Sequence, residues 1–446
     1  MTLLPCDLSG LPTSLPADRI DGWNRTILGV LSHAAATGPQ LTAVLQATPE
    51  FALGQAVRGL SCLLLGRAEM VAVADEALHA ARAAPPGTPR ETAFVAALAD
   101  WCGGSPTRAA ARLEAVLAQH PRDALAMKMV QAIHFVMGRP AAMRASVEAV
   151  LPFWTDHPAR GYLLGCHAFT LEETGEYARA EATGRQGVAL APDDAWGLHA
   201  VAHVHDMTGR AVDGLAWLQG REGSWAHCNN FRFHVWWHRA LLHLDLGQYD
   251  AALAIYDADI RAEKTDDYRD IANAASLLSR LELDGVDVGA RWDELADLAE
   301  GRATDGCLAF ADLHYLLALC GGARDAAAAG LIARMARTRP EGHDARRIIA
   351  RPGLHMARGV QAFAAGDYSV AWLHLRSART EAQSIGGSHA QRDIFARLTI
   401  EAALRGGYID AAEGLLRDRQ ALRAGTADGY TQRRIAIIDA ARAKAV

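Results

Sequence analysis

A glycine-marked turn recurs every 34 to 38 residues, and that spacing constrains the fold more than any other feature of the chain. The turns are LLLGRAEM at Gly66, WCGGSPTRA at Gly104, FVMGRPAA at Gly138, EETGEYARA at Gly175, DMTGRAVDG at Gly209 and LDLGQYDAA at Gly247. Later ones follow near Gly322 in LCGGARDAA, at Gly366 in FAAGDYSVA and at Gly407 in ALRGGYIDAA. Each glycine ends an apolar helical stretch and precedes another that is rich in alanine. A helix, a glycine stop and a returning partner helix is the unit this predicts. A chain of 446 residues is long for one core, but stacked repeats escape that limit because each unit packs only on its neighbours.

The 34-residue step and the G-x-Y-x-x-A punctuation resemble the tetratricopeptide repeat. Residues 161–194 carry it most fully, with Ala168 and Ala180 at the small packing positions, Gly175 and Tyr177 at the turn, and Pro192 closing the unit. Gly247, Tyr249, Ala252 and Tyr256 repeat it, as do Gly366, Tyr368 and Ala371. The expected fold is all-α, a tetratricopeptide-like solenoid of helical hairpins with about nine to ten repeats. Pro5, Pro12 and Pro16 forbid a helix at the start, so residues 1–16 are expected as an extended arm and residues 17–446 as one repeat domain. Residues 260–300 fit the period poorly, and Asp284, Gly285 and Asp287 read as a turn there.

Composition excludes several functions. The formal charge is −6 with no run of Lys or Arg, which argues against nucleic acid and against a basic membrane-binding face. No apolar stretch reaches the 18 residues that would span a bilayer, and the first 16 residues lack the pattern of a secretory signal. Seven scattered cysteines without a CxxC motif are the usage expected of a reducing cytoplasm. There is no GxxxxGK[ST] phosphate loop and no GxSxG nucleophile elbow.

The reactive side chains gather in the middle of the chain. His199 and His203 are four apart, and so are His234 and His238, which enclose Trp236 and Trp237. A four-residue step puts each pair on one helix face, one turn apart. Aligned on their turn glycines, successive tetratricopeptide-like first helices would present Tyr162, Glu172 and Glu173, then His199 and His203, then His234, Trp237 and His238 to one trough. Asp312 and His314 lie on a later helix, FADLHYLLAL. Ser388, His389, Gln391, Arg392 and Asp393 open another, after Gly386 and Gly387, where helix amides and Arg392 suit an anion.

The stretch LEETGEYARAEATGRQGVALAPDDAWGLHAVAHVHDMTGR, the following W-x-x-x-N-x-F-x-x-H-x-W-W-H-x-A-L and the later IGGSHAQRDIF resemble relatives of tetratricopeptide repeat protein 38. These blocks fall between residues 160 and 395. The resemblance implies a helical repeat protein and places Glu172, Glu173, His199, His203, His234, Trp237, His238, His314, His389, Gln391, Arg392 and Asp393 on signature blocks. It brings no reaction with it.

Three chemistries stay open for the histidines. They could ligate a divalent metal, with Glu172 or Glu173 as an oxygen ligand. They could exchange protons with those carboxylates without a metal. They could be hydrogen-bonded core residues. The HxxxH spacing does not decide, because the zinc-protease pattern needs a Glu after the first His and neither pair has one. Nothing in the sequence requires a cofactor. The expected function is an enzyme or binding protein for a small polar or anionic molecule. Glu172, Glu173, His199, His203, His234 and His238 would do acid–base or metal-assisted chemistry, and Trp237, Asp312, His314, His389, Gln391, Arg392 and Asp393 would bind the ligand. The alternative is a non-catalytic scaffold that takes a peptide or protein partner in its groove. A homodimer is compatible with either.

Overall fold

The computed structural model describes residues 4–445, and residues 1–3 of the expected arm lie outside that range. Residues 4–16 are non-helical, as three prolines require, and hold only an isolated bridge between Cys6 and Pro12. After them come helices, turns and one further isolated bridge, Ala34 with Cys228, with no strand among the described residues.

By its contacts the chain divides into two compact units. The first comprises residues 1–201, 223–232 and 340–345. Its helices are α1 (Ile20–Ser32), α2 (Thr37–Ala47), α3 (Ala52–Leu64), α4 (Ala68–Ala83), α5 (Pro89–Cys102), α6 (Pro106–Gln119), α7 (Ala124–Val136), α8 (Pro140–Val150), α9 (Arg160–Glu173) and α10 (Tyr177–Leu190). Next come α11 (Ala195–Met207), through which the division runs, and, beyond α12 (Ala211–Leu218), the short α13 (Gly223–Ala226). Consecutive helices pair as hairpins, α1 with α2 through α9 with α10, and α3 also packs on α5. The core of this unit runs from Leu15 and Trp23 through Phe94 and Val130 to Trp154 and Leu163.

The second unit comprises residues 202–222, 233–339 and 346–446. It holds α12 and nearly all of α14 (Phe231–Asp245), then α15 (Tyr249–Ile255), α16 (Tyr268–Leu283), α17 (Arg291–Arg302), α18 (Ala309–Gly321) and α19 (Asp325–Arg337). After α20 (Asp344–Ile348) come α21 (Leu354–Ala364), α22 (Tyr368–Ala378), α23 (His389–Arg405), α24 (Ile409–Leu422) and α25 (Gly429–Ala445). Here too hairpin partners touch, and first helices stack on first helices: α16 on α18, α18 on α21. The unit also closes on itself, since α16 meets α23. The poorly periodic stretch 260–300 is an ordinary hairpin, α16 and α17, whose turn contains Asp284, Gly285 and Asp287 as expected.

The turn glycines act through backbone conformation. Gly66, Gly104, Gly138, Gly175, Gly209, Gly247, Gly366 and Gly407 all have positive φ, where a Cβ is strained. The turn near Gly322 differs. There Ala323 takes the left-handed conformation, at φ 53°. Gly322 is needed for space instead, because a Cβ on it would come within 2.3 Å of the Ala296 Cβ on α17.

All seven cysteines are free thiols. Burial raises the Cys62 and Cys166 thiols and pushes Cys102, Cys228 and Cys320 up to about 12. The raised, buried Cys228 thiol is the protonated, unreactive form. Among the described residues no helix is long and apolar enough to cross a membrane.

Candidate functional site

In the first unit, Glu172 and Glu173 end α9 and are both buried, Glu172 completely. His199 lies on α11, one turn before His203. Its Nδ1 is 2.8 Å from the Trp196 carbonyl, so that nitrogen carries the hydrogen. The ring stacks on Phe169 at 5.6 Å and meets the edge of Phe231 at 5.0 Å. Lys128 lies over the Trp196 ring at 5.1 Å, a cation–π contact. His199 thus sits among aromatic rings contributed by α9, α11 and α14.

The second unit brings three of the predicted histidines together. His203 comes from the end of α11, and His234 and His238 are successive turns of α14. One ring nitrogen of each lies within 4.8 Å of the others. The Nε2 atoms of His234 and His238 are 3.1 Å apart. His203 and His238 have ring centroids 4.2 Å apart. Asn273 on α16 orients the group: its Oδ1 is 3.0 Å from His234 Nδ1, so that nitrogen donates and Nε2 keeps its lone pair. Trp237 stacks on His234 at 5.3 Å, and the Arg280 guanidinium lies 5.6 Å from the Trp237 ring. Burial pushes His234 down to about 3, with His203 and Arg269 adding to the fall and the Asn273 hydrogen bond opposing it. His203 and His238 are fully buried, whereas His234 keeps part of its surface exposed.

Further along the same unit, Asp312 is buried in an ion pair with Arg334 at 2.5 Å. Burial pushes it up to about 6 against the pull of Arg334. His314 is buried between Phe310 and Phe395, with Nδ1 2.7 Å from the Phe310 carbonyl. Burial holds it down to about 4, with Arg280 contributing. Gln391 closes a capping box at the start of α23: the Ser388 hydroxyl accepts from the Gln391 amide while Gln391 Oε1 accepts from the Ser388 amide. The Ser388 and Gln391 amides are therefore used within the protein.

A cleft of about 200 Å³ opens in the second unit beside α23 and α24. Its floor is apolar, with Met207, Met356, Leu375, Phe395 and Leu415 among its residues. Four arginines line it, Arg379, Arg392, Arg419 and Arg423, against two aspartates, Asp393 and Asp418, a formal excess of +2 among these six side chains. Arg419 holds Asp393 at 2.6 Å and clasps Asp428 at 2.8 and 2.6 Å, and Arg423 reaches Asp206 at 3.0 Å. Burial by itself would raise the Asp393 carboxyl, but Arg419 and Arg397 outweigh it and hold that group well below the usual carboxylate range. Arg392 hydrogen-bonds the Gly387 carbonyl with one Nη and is half-buried at the wall. Of the predicted residues, His389, Arg392 and Asp393 line this cleft, whereas the three clustered histidines do not.

Sequence reasoning passed over Arg280, Arg419, Arg423 and Asn273. Arg280, Asn273 and Arg419 stand in helices and Arg423 just past the end of α24, and no local pattern marks which of these polar side chains another helix will bury. Arg280, whose Nη2 donates to the Ala390 carbonyl at 2.6 Å, is the clearest case; burial pushes it down to about 9, with Arg397 adding to the effect.

No protein-family model matches the chain, so the resemblance to tetratricopeptide repeat protein 38 gains no support from that comparison. Among solved structures, the crystal structure of yeast Tom70 is similar over 95% of this chain and 88% of its own, at 11% identity and a TM-score of 0.36. The assignment as an all-α stack of helical hairpins rests on the helices and turns described above.

Proposed function

We propose that the chain is a helical-repeat binding protein whose second unit holds an acidic segment of a partner protein. The observation that carries this reading is the cleft beside α23 and α24, with an apolar floor and four arginines against two aspartates. Its volume of about 200 Å³ falls below the roughly 300–1,000 Å³ of sites that engulf a whole small molecule. It suits one apolar side chain with a neighbouring carboxylate, as at a peptide terminus. Arg419 and Arg423 are committed to Asp393, Asp428 and Asp206, so they build the wall and set its field. Arg392, half-buried at the wall and hydrogen-bonded to the Gly387 carbonyl, adds a charge-assisted donor that an entering carboxylate would meet.

The test is fluorescence anisotropy with short peptides that end in an apolar residue and a free carboxylate, compared with their amidated forms. The free acid should bind at least about tenfold more tightly, and Arg392→Ala should abolish that preference, the loss of one charge-assisted pair. Equal binding of acid and amide, or binding that ignores Arg392→Ala, would rule the reading out. The other reading, a small polar or anionic molecule handled by the histidines, is favoured by one specific observation, the convergence of His203, His234 and His238.

A further inference from the structure

We propose that His203, His234 and His238 form a binding site for a transition-metal cation of the zinc class. Three features carry this, and none depends on the cleft.

The first is spacing. Two nitrogens bound to one tetrahedral cation at zinc–nitrogen distances of 2.0–2.1 Å stand about 3.3 Å apart. The Nε2 atoms of His234 and His238 are 3.1 Å apart, and His203 brings a ring nitrogen within 4.8 Å of both. Side-chain rotations that move the His203 nitrogen by up to about 1.5 Å complete the set.

The second feature is orientation. A metal-ligating imidazole characteristically donates its other ring hydrogen to an oxygen, which fixes the tautomer and aims the lone pair. Asn273 Oδ1 does this for His234 Nδ1 at 3.0 Å. Without a cation, His238 donates from Nε2 to His234; a cation replaces that hydrogen bond once His238 moves its hydrogen to Nδ1.

The third is the cost of the alternative. Desolvating three imidazoles in contact is unfavourable, and apolar side chains would fill the same space at no such cost. Ligation offsets it. His234 retains some exposure, which leaves the cation a route in.

The experiment uses the full chain, stripped by dialysis against chelator and titrated with Co²⁺ and Zn²⁺. One Co²⁺ per chain should bind, with the visible absorption of a tetrahedral site, and Zn²⁺ should displace it. His238→Ala and His203→Gln should each weaken binding at least about a hundredfold, and Asn273→Leu about ten- to a hundredfold through loss of the orienting bond. His374→Ala should leave it unchanged; that residue belongs to a separate pair with His355, at 3.4 Å, and controls for adventitious histidine binding. Should a variant fail to fold, the wild-type protein still decides: its melting temperature should rise with Zn²⁺ and return with chelator. A folded wild-type chain that takes up no Co²⁺ or Zn²⁺ at 100-fold excess, or cobalt spectra unchanged in the His203 and His238 variants, would overturn the site. A failed peptide assay would leave this result untouched, and the reverse also holds.

Discussion

Asp194 shows what one buried carboxyl can do to the stability of its unit. It stands just before α11, and its Oδ2 accepts from the Gly197 amide at 3.1 Å. Burial pushes it up to about 7, against the pull of Lys128 and of that amide. The folded chain therefore holds this proton more tightly than the unfolded chain, whose carboxyl titrates near 3.8. A raised value contributes stability in full below about pH 4, and that contribution is lost as pH rises towards 7. Asp194→Asn keeps a good helix-starting acceptor and removes the titration. Thermal melts should show the variant gaining on the wild type as pH climbs from 4 to 7. Parallel melting curves over that range would mean that another group carries the effect. Nothing in APDDAW distinguishes this aspartate from its exposed neighbour, because its burial depends on Gly165 and Gly197, where a Cβ would collide with its Oδ2.

Pairs of helices depend on how closely their backbones approach. In α9 and α10 the contact is backbone on backbone: a Cβ on Gly161 would lie 2.8 Å from the Ala191 amide nitrogen and 3.0 Å from the Gly187 carbonyl oxygen. Backbone atoms cannot swing aside as a side chain can, so Gly161→Ala should cost about 1–3 kcal/mol, measured by urea unfolding. A cost near zero would show that the hairpin can spread. The repeat punctuation made this hairpin legible in the sequence, since Ala168 and Ala180 are fully buried where a small residue was expected. The same punctuation located the turn near Gly322 but not its left-handed residue, because a glycine needed for space and one needed for positive φ look identical in sequence. The left-handed residue is Ala323.

Over the whole chain, the legible part is what repeats locally. Helix positions, turn glycines and the four-residue histidine steps all follow from short-range periodicity, and so did the expectation that His203, His234 and His238 share a face. The closure of the second unit did not. It depends on Arg280 reaching Ala390, 110 residues on, and on Arg419 and Arg423 gathering Asp393, Asp428 and Asp206. A period of 34 to 38 carries no information about which turns of a stack meet again. Nothing local marks those arginines, and the cleft that Arg419 and Arg423 help to wall was invisible until the chain was folded.

The distribution of thiols gives the molecule a chemical polarity. Five of its sulfurs are kept protonated by burial, while Cys6 lies exposed on the proline-rich arm. A maleimide dye, which attacks only thiolate, should therefore mark the native protein at exposed Cys6 ahead of the half-buried Cys307. A fluorophore can thus be placed at one end of the chain without removing any of the natural cysteines.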